Sequence, residues 1–218
     1  MALSNYAELQ STVLGWVRRP DLSGESVALG SGNITMNDVK SGVKDFIRLA
    51  ESQLNRALRC EDMSTVTTLT VSSGEVSLPT DFRQAETVRI TSDPTDPITL
   101  VSKDSFDAKK ASGGKPCMAN ISGGKLRIKP WSSDFDVDLR YFQSIPALSD
   151  DNTTNWLLTK HPDMYLWSTL LVVEMYGVND DRLKSLAPLR RATIDEINEE
   201  SYATGTFVPA MEPTVDAV

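Results

Sequence analysis

"TTNWLLTKHPDMYLWSTLLVVEMY", Thr153–Tyr176, decides how the rest of the chain is read. Proline is favoured in a first helical turn, where its missing N–H would have no partner, and Asp163 beside Pro162 complements the positive end of a helix. The stretch therefore predicts a helix over 162–177, with His161 at its cap and Gly177 as its stop. From Met164 to Tyr176 the segment is apolar almost all round, as a central helix packed on several sides would be. His161, the only histidine, and Asp163 also have the residue types of a general base and its orienting acid. No nucleophile elbow of the form G-x-S-x-G adjoins them, and helix capping accounts for both the proline and the acid.

Working outward, three further helices are predicted. In 5–18, Tyr6, Leu9, Val13, Trp16 and Val17 fall on one face, Asn5 with Glu8 has the capping-box form, and Pro20 closes the helix. In 36–59, Val39, Val43, Phe46, Ile47, Ala50, Leu54, Ala57 and Leu58 step by three and four, with Thr35 and Asp38 as the cap. In 179–202, Leu183, Leu186, Ile194 and Ile197 mark the apolar face, and Pro188 is expected to kink or split the helix. The Gly- and Ser-rich residues 21–35 read as an exposed loop.

Between the second helix and the last two, the apolar period changes to two. Thr65–Val71, a turn at Ser73-Gly74 and Glu75–Pro79 read as a hairpin; Glu86–Thr91 and Pro97–Val101 follow. A short helix is expected over 103–111, then a hairpin of Met118–Ser122 and Lys125–Lys129 around Gly123-Gly124, then Phe135–Phe142. The expected fold is α+β: a mainly helical core of about four helices, with a small antiparallel β region of about six short strands, 65–142, inserted between the long second helix and the last two. Residues 1–202 read as a single domain and 203–218 as an extended tail that orders on a partner.

Bulk properties narrow the function. Twenty-two Lys plus Arg against thirty Asp plus Glu give a net charge of -8, which repels phosphate at long range and disfavours a dedicated nucleic-acid binder. Neither a secretory signal nor an apolar run of bilayer length is seen, so no membrane is expected. Cys60 and Cys117 stand far apart in no metal-like spacing and read as free thiols of a reducing compartment.

Asp134, Asp136 and Asp138 alternate along one strand; three carboxylates on one face have the chemistry of a hard-cation site, but the spacing equally describes the wet side of a half-buried strand. "SGGKP" and "SGGKL" depart from the phosphate-loop pattern and read as turns. No catalytic, metal or cofactor set emerges. Charge, by contrast, is segregated. Lys103, Lys109, Lys110, Lys115, Lys125, Arg127 and Lys129 face only Asp104 and Asp107, a local sum of +5. From Asp195 onward, Asp195, Glu196, Glu199, Glu200, Glu212 and Asp216 face no base, a sum of -6. Opposite patches on one chain suit contacts between copies or with a second protein, with Lys103–Lys129 and Asp195, Glu196, Glu199 and Glu200 as the interface candidates.

The blocks "AESQLNRALR", "LPTDF", "GGKLRIKP" and "IPALSDDNTTNWLLTKHPDMYLW", in this order, resemble the phage adaptor proteins, the head-to-tail connector or head completion family of tailed bacteriophages. The likeness runs from about Asn5 to about Asn198; residues 21–35 look like an insertion and the tail after Gly205 lies beyond it. What the resemblance implies is a structural protein without catalysis or cofactor. It is implied to form a homo-oligomeric ring, typically a dodecamer, assembled in the host cytoplasm and located in the virion neck. The implied partners are the portal protein and a tail or nozzle protein, with viral DNA passing along the axis without sequence-specific binding. Within that picture Phe207, Val208, Pro209, Met211 and Pro213 of the tail are the candidates for the portal contact. Two rivals stand beside it: an acid/base hydrolase using His161 and Asp163, and a non-specific DNA-binding module using Lys103–Lys129.

Overall fold

The computed structural model describes residues 3–17, 36–108, 113–176 and 180–203. The expected loop 21–35, Lys109 and Lys110, Gly177 and the tail from 204 on lie outside the described residues. In chain order the elements are α1 (Tyr6–Val17), α2 (Met36–Ala57), β1 (Ser64–Val71), β2 (Glu75–Ser77), β3 (Phe82–Ile90), β4 (Asp93–Leu100) and α3 (Lys103–Ala108). They continue as β5 (Met118–Ser122), β6 (Lys125–Lys129), β7 (Phe135–Gln143), α4 (Trp156–Lys160), α5 (Pro162–Tyr176) and α6 (Asp180–Ala203). These fall into two compact units: a helical one that runs through Asp62 and resumes at Ile145, and a sheet unit, Met63–Ser144.

In the helical unit, α5 packs against α1, α2, α4 and α6. Met164, Tyr165, Leu166, Leu170, Val172 and Val173 are all buried, so the all-round apolar pattern does mark the central helix. Each buried aliphatic side chain of this kind contributes about 1.5–3 kcal/mol. α1 starts as its capping residues dictate: Asn5 Oδ1 accepts the Glu8 N–H at 2.9 Å, while the Glu8 carboxylate reaches back to the Ser4 N–H and hydroxyl at 2.8 and 2.7 Å. α6 is continuous through Pro188, so of the expected kink or split the split does not occur. Lys184, whose carbonyl the proline leaves without its helical partner, is exposed, as is Pro188, so water can satisfy that group.

The sheet unit corrects the fold expected from sequence. In place of a small antiparallel appendage of about six strands on a mainly helical core, the described residues form six α-helices and one seven-stranded mixed sheet, ordered β1-β7-β3-β4-β5-β6-β2. β4 and β5 pair in parallel, with α3 in the connection between them; the other pairs are antiparallel. Val71, Val88, Ile90, Ile98, Ala119, Leu126, Ile128, Val137, Leu139 and Tyr141, drawn from six of the strands, make a separate apolar core. The expected β1–β2 hairpin keeps only its turn. Ser72 and Glu75 exchange backbone hydrogen bonds of 3.2 and 3.1 Å around Ser73-Gly74, after which β1 follows β7 and β2 follows β6. Because that turn ties together the two ends of the strand order, the sheet curls almost into a barrel.

Candidate assembly surfaces

The segment "IPALSDDNTTN" between β7 and α4 has no regular structure and is held by buried polar groups of its helical neighbours. Ile145 N–H donates to Asn55 Oδ1 at 2.8 Å, and Leu148 N–H donates to Glu51 Oε1 at 2.8 Å. The Tyr165 hydroxyl donates to the same carboxylate oxygen at 3.0 Å, and Asn155 Nδ2 donates to that hydroxyl at 2.6 Å and to the Pro146 carbonyl at 2.7 Å. At the surface the segment is tied by Lys44 to Asp150 at 2.6 Å and by Tyr6 N–H to the Thr153 carbonyl at 2.8 Å. The network gives backbone partners to an irregular chain where it crosses a packed helical unit.

Burial raises the Glu51 pKa above the ordinary 4.5, against the lowering effect of the Leu148 and Tyr165 hydrogen bonds and of Arg48. A carboxyl whose folded value lies above its unfolded value holds its proton better in the fold, so its stabilising contribution is lost as pH rises through the folded value. Glu51→Gln keeps an acceptor for both donors and removes the titration. Its stability relative to the parent is therefore expected to rise as pH climbs from 4.5 to neutrality, and chemical denaturation at several pH values reads this directly. A stability difference that stays flat across the range would refute it.

The residues singled out for acid/base chemistry sit at a helix junction. His161 closes α4, its N–H donating to the Leu157 carbonyl at 2.8 Å, and its own carbonyl takes the Met164 N–H at 3.1 Å to open α5. Asp163 is exposed in the first turn of α5. α4 itself, a short helix capped by Asn155, was not legible beforehand as a separate element.

Asp134, Asp136 and Asp138 line one face of the β1–β7 pair, and each is taken up by hydroxyls. Asp138 accepts from Thr68 at 2.7 Å and Thr91 at 3.0 Å, Asp136 from Thr70 at 2.7 Å, and Asp134 from Ser72 at 2.8 Å. The register sets Thr68 opposite Asp138 and Thr70 opposite Asp136, so this is a cross-strand ladder on the wet side of the sheet. Among the described residues no group of acids, histidines and cysteines has the arrangement of a metal site.

The basic candidates are largely engaged within their own unit. Lys115 bridges Asp93 at 2.8 Å and Asp96 at 3.0 Å, beside a pocket of about 280 Å³ lined also by Ile90, Ser132 and Phe135. Those two carboxylates raise the lysine's pKa, and Lys115 in turn lowers that of Asp93. Lys125 pairs with Glu75, Arg127 lies 3.8 Å from the same carboxylate, and the Lys129 ammonium sits 4.5 Å over the Phe106 ring. Lys103 is exposed at the start of α3. On α6, Asp195, Glu196, Glu199 and Glu200 are all exposed. The basic and acidic candidates belong to different units of the chain.

Other exposed groups of the helical unit escaped the sequence reading. Trp16, 47% exposed, meets Trp167 edge to face at 5.5 Å, and Tyr176, 67% exposed, lies 5.4 Å from Phe46. Their helical spacing was indistinguishable from that of core positions. Arg182 of α6 pairs with the buried Glu174 of α5, and Arg190 donates from Nε to Ser168 Oγ at 3.2 Å.

The helical unit thus holds an irregular segment on its central helix, and the sheet unit is inserted in the chain between α2 and α4. The chain belongs to the SU10 adaptor protein family, whose model matches residues 4–210. Membership makes it a viral, bacteriophage protein of the adaptor type and implies a place in the virion neck with phage portal and tail proteins as partners. The match takes in residues 21–35 and continues past Asn198 into the tail. A search of curated proteins finds no match. Among the described residues no helix is long and apolar enough to cross a membrane.

Proposed function

We propose that the protein acts as a structural adaptor: copies close into a ring, of dodecameric type, between portal and tail, offering the tail a docking surface and the DNA a passage. The single observation that carries this reading is the family match over residues 4–210. It works without catalysis or cofactor, through its surfaces. The exposed acids of α6 serve the contact with a neighbouring copy, and the Lys103–Lys129 region serves a copy or a portal or tail partner. The tail, with Phe207, Val208, Pro209, Met211 and Pro213, reaches for the portal. A net negative channel wall fits the overall charge of -8, since a polyanion slides past it without adhering.

Imaging the purified chain mixed with its portal tests this. Added ring density on the portal is expected, and its absence would end the adaptor reading. Deleting Gly205–Val218 is expected to abolish attachment while leaving the helical unit folded; unchanged attachment would remove the tail from the contact.

A further inference from the structure

The strand order leaves β1 and β2 at the two ends of the sheet. β1 pairs with β7 residue for residue, without a bulge, from Ser64 to Val71. Ser72, the next residue, exchanges both of its backbone hydrogen bonds with Glu75 across the turn, so its N–H and C=O point away from β7. Backbone direction alternates along a strand, and Val66, Thr68 and Thr70 therefore point theirs outward as well. Asp136, opposite Thr70, gives its carbonyl to the Thr91 N–H at 3.0 Å, which independently makes Thr70 and Asp136 a non-hydrogen-bonded pair.

Among the described residues these outward groups of Val66, Thr68 and Thr70 have no backbone partner, and no described helix packs along β1. All three residues are exposed, Val66 at 53%. One step past Ser72 and Glu75 the hairpin would pair Thr70 with Ser77, but the two strands part there. Leu69 of β1 and Val76 of β2 stay only partly buried against the sheet core. β1, "STVTTLTV", contains no charge, proline or glycine, so the devices that blunt an exposed edge are missing, and an edge of this kind takes an added strand.

Residues 204–218, outside the described ones, contain a segment with the composition of such a strand. Pro209 and Pro213 cannot donate to a ladder, which leaves Thr214–Val218 as a five-residue run with ten residues of chain between it and α6. In an extended chain Val215 and Ala217 fall on one side, as the partly buried Leu69 and Val76 require, and Thr214 and Asp216 on the other. Reach follows from chain geometry within one copy. Asn198 of α6 accepts the Arg59 N–H at 2.9 Å and donates to the Ala57 carbonyl at 3.4 Å, and β1 opens five residues after Arg59, at Ser64. Those five residues span at most about 18 Å, and the helix rises about 7.5 Å from Asn198 to Ala203, whereas the chain from Ala203 to Thr214 extends about 36–40 Å. We infer that Thr214–Val218 adds to the open edge of β1 in its own copy, as an eighth strand of the sheet. The inference goes beyond the adaptor reading and does not depend on ring formation. Pinned in this way, Phe207–Pro213 is held at both ends, which lowers the ordering cost of a portal contact.

Amide hydrogen exchange of the full chain, compared with a chain ending at Pro213, tests this. The Val66, Thr68 and Thr70 amides are expected to exchange about tenfold faster once Thr214–Val218 is removed, while those of Thr67 and Leu69, which bond to β7, keep their rates. Val215→Pro with Asp216→Pro removes a donor toward β1 whichever way the strand runs, and is expected to give the same loss in a chain of full length. Val215→Ile with Asp216→Thr keeps both donors and is expected to give none. Salt is expected to leave the protection unchanged, because backbone bonds rather than charges hold the strand. Outward amides that exchange equally fast with and without the five residues overturn the inference, as does protection that survives the two prolines. Protection that fades on dilution overturns it too, and gives the edge to the tail of a second copy. None of these outcomes touches the adaptor reading, which imaging with the portal decides.

Discussion

Replacing Asn155 with alanine is expected to destabilise the helical unit by about 3 kcal/mol, seen as a lower denaturant midpoint. The side chain serves three partners at once: Oδ1 takes the Leu158 N–H at 2.8 Å as the cap of α4, and Nδ2 donates to the Pro146 carbonyl at 2.7 Å and the Tyr165 hydroxyl at 2.6 Å. Loss of an N-cap costs about 1 kcal/mol, and each buried partner left unpaired adds about 1–3 kcal/mol, so the sum passes the effect of an ordinary surface change several-fold. Tyr165 is fully buried and its pKa is pushed upward chiefly by that burial, so it stays a neutral hydroxyl that needs its partners. Asn155→Ser, which keeps the cap acceptor, should recover about 1 kcal/mol of the loss. A midpoint for the alanine variant within error of the parent would mean that the network is incidental.

Gly74→Ala is expected to cost about 2–4 kcal/mol, felt in the sheet unit. Gly74 has φ 77°, a left-handed conformation that costs other residues about 1–2 kcal/mol. A methyl group there would lie 2.2 Å from Cδ1 of the Trp131 ring, so the indole would have to leave its place over the turn, at about 1–3 kcal/mol. Trp131 is the one tryptophan of Met63–Ser144, which makes its fluorescence a local reporter. Adding Trp131→Ala should cancel the clash and leave the variant with the backbone penalty alone; a clash that persists without the ring would show the turn to be constrained otherwise.

The helices were legible because their patterns are strong. Pro162 and Asp163 mark the start of α5, and Val43, Ile47, Ala50 and Leu54, all buried, trace the inner face of α2. The sheet was read as smaller than it is, for local reasons. β3 shifts register twice against β7, between Phe82 and Gln84 and between Ala85 and Thr87, and each shift breaks the period of two. β4 holds Pro94 and Pro97; the strand was expected only from Pro97, yet it begins at Asp93, and the register slip beside Ile90 lets it accommodate both prolines. The parallel β4–β5 pairing and the parting of β1 from β2 are long-range outcomes that no local period encodes.

Of the surface candidates, the acids of α6 were legible as a run without bases, and they are exposed as a run of that kind should be. The basic stretch read as free charge because Glu75, Asp93 and Asp96, which engage it, lie well before the lysines and arginine they meet.

The sheet unit begins and ends on adjacent strands: β1 and β7 are antiparallel neighbours, with Ser64 opposite Phe142. Its point of departure and its point of return are therefore side by side, as in a cassette plugged into a two-pin socket. An engineer can lengthen, trim or exchange such a module without rerouting any helix of the helical frame.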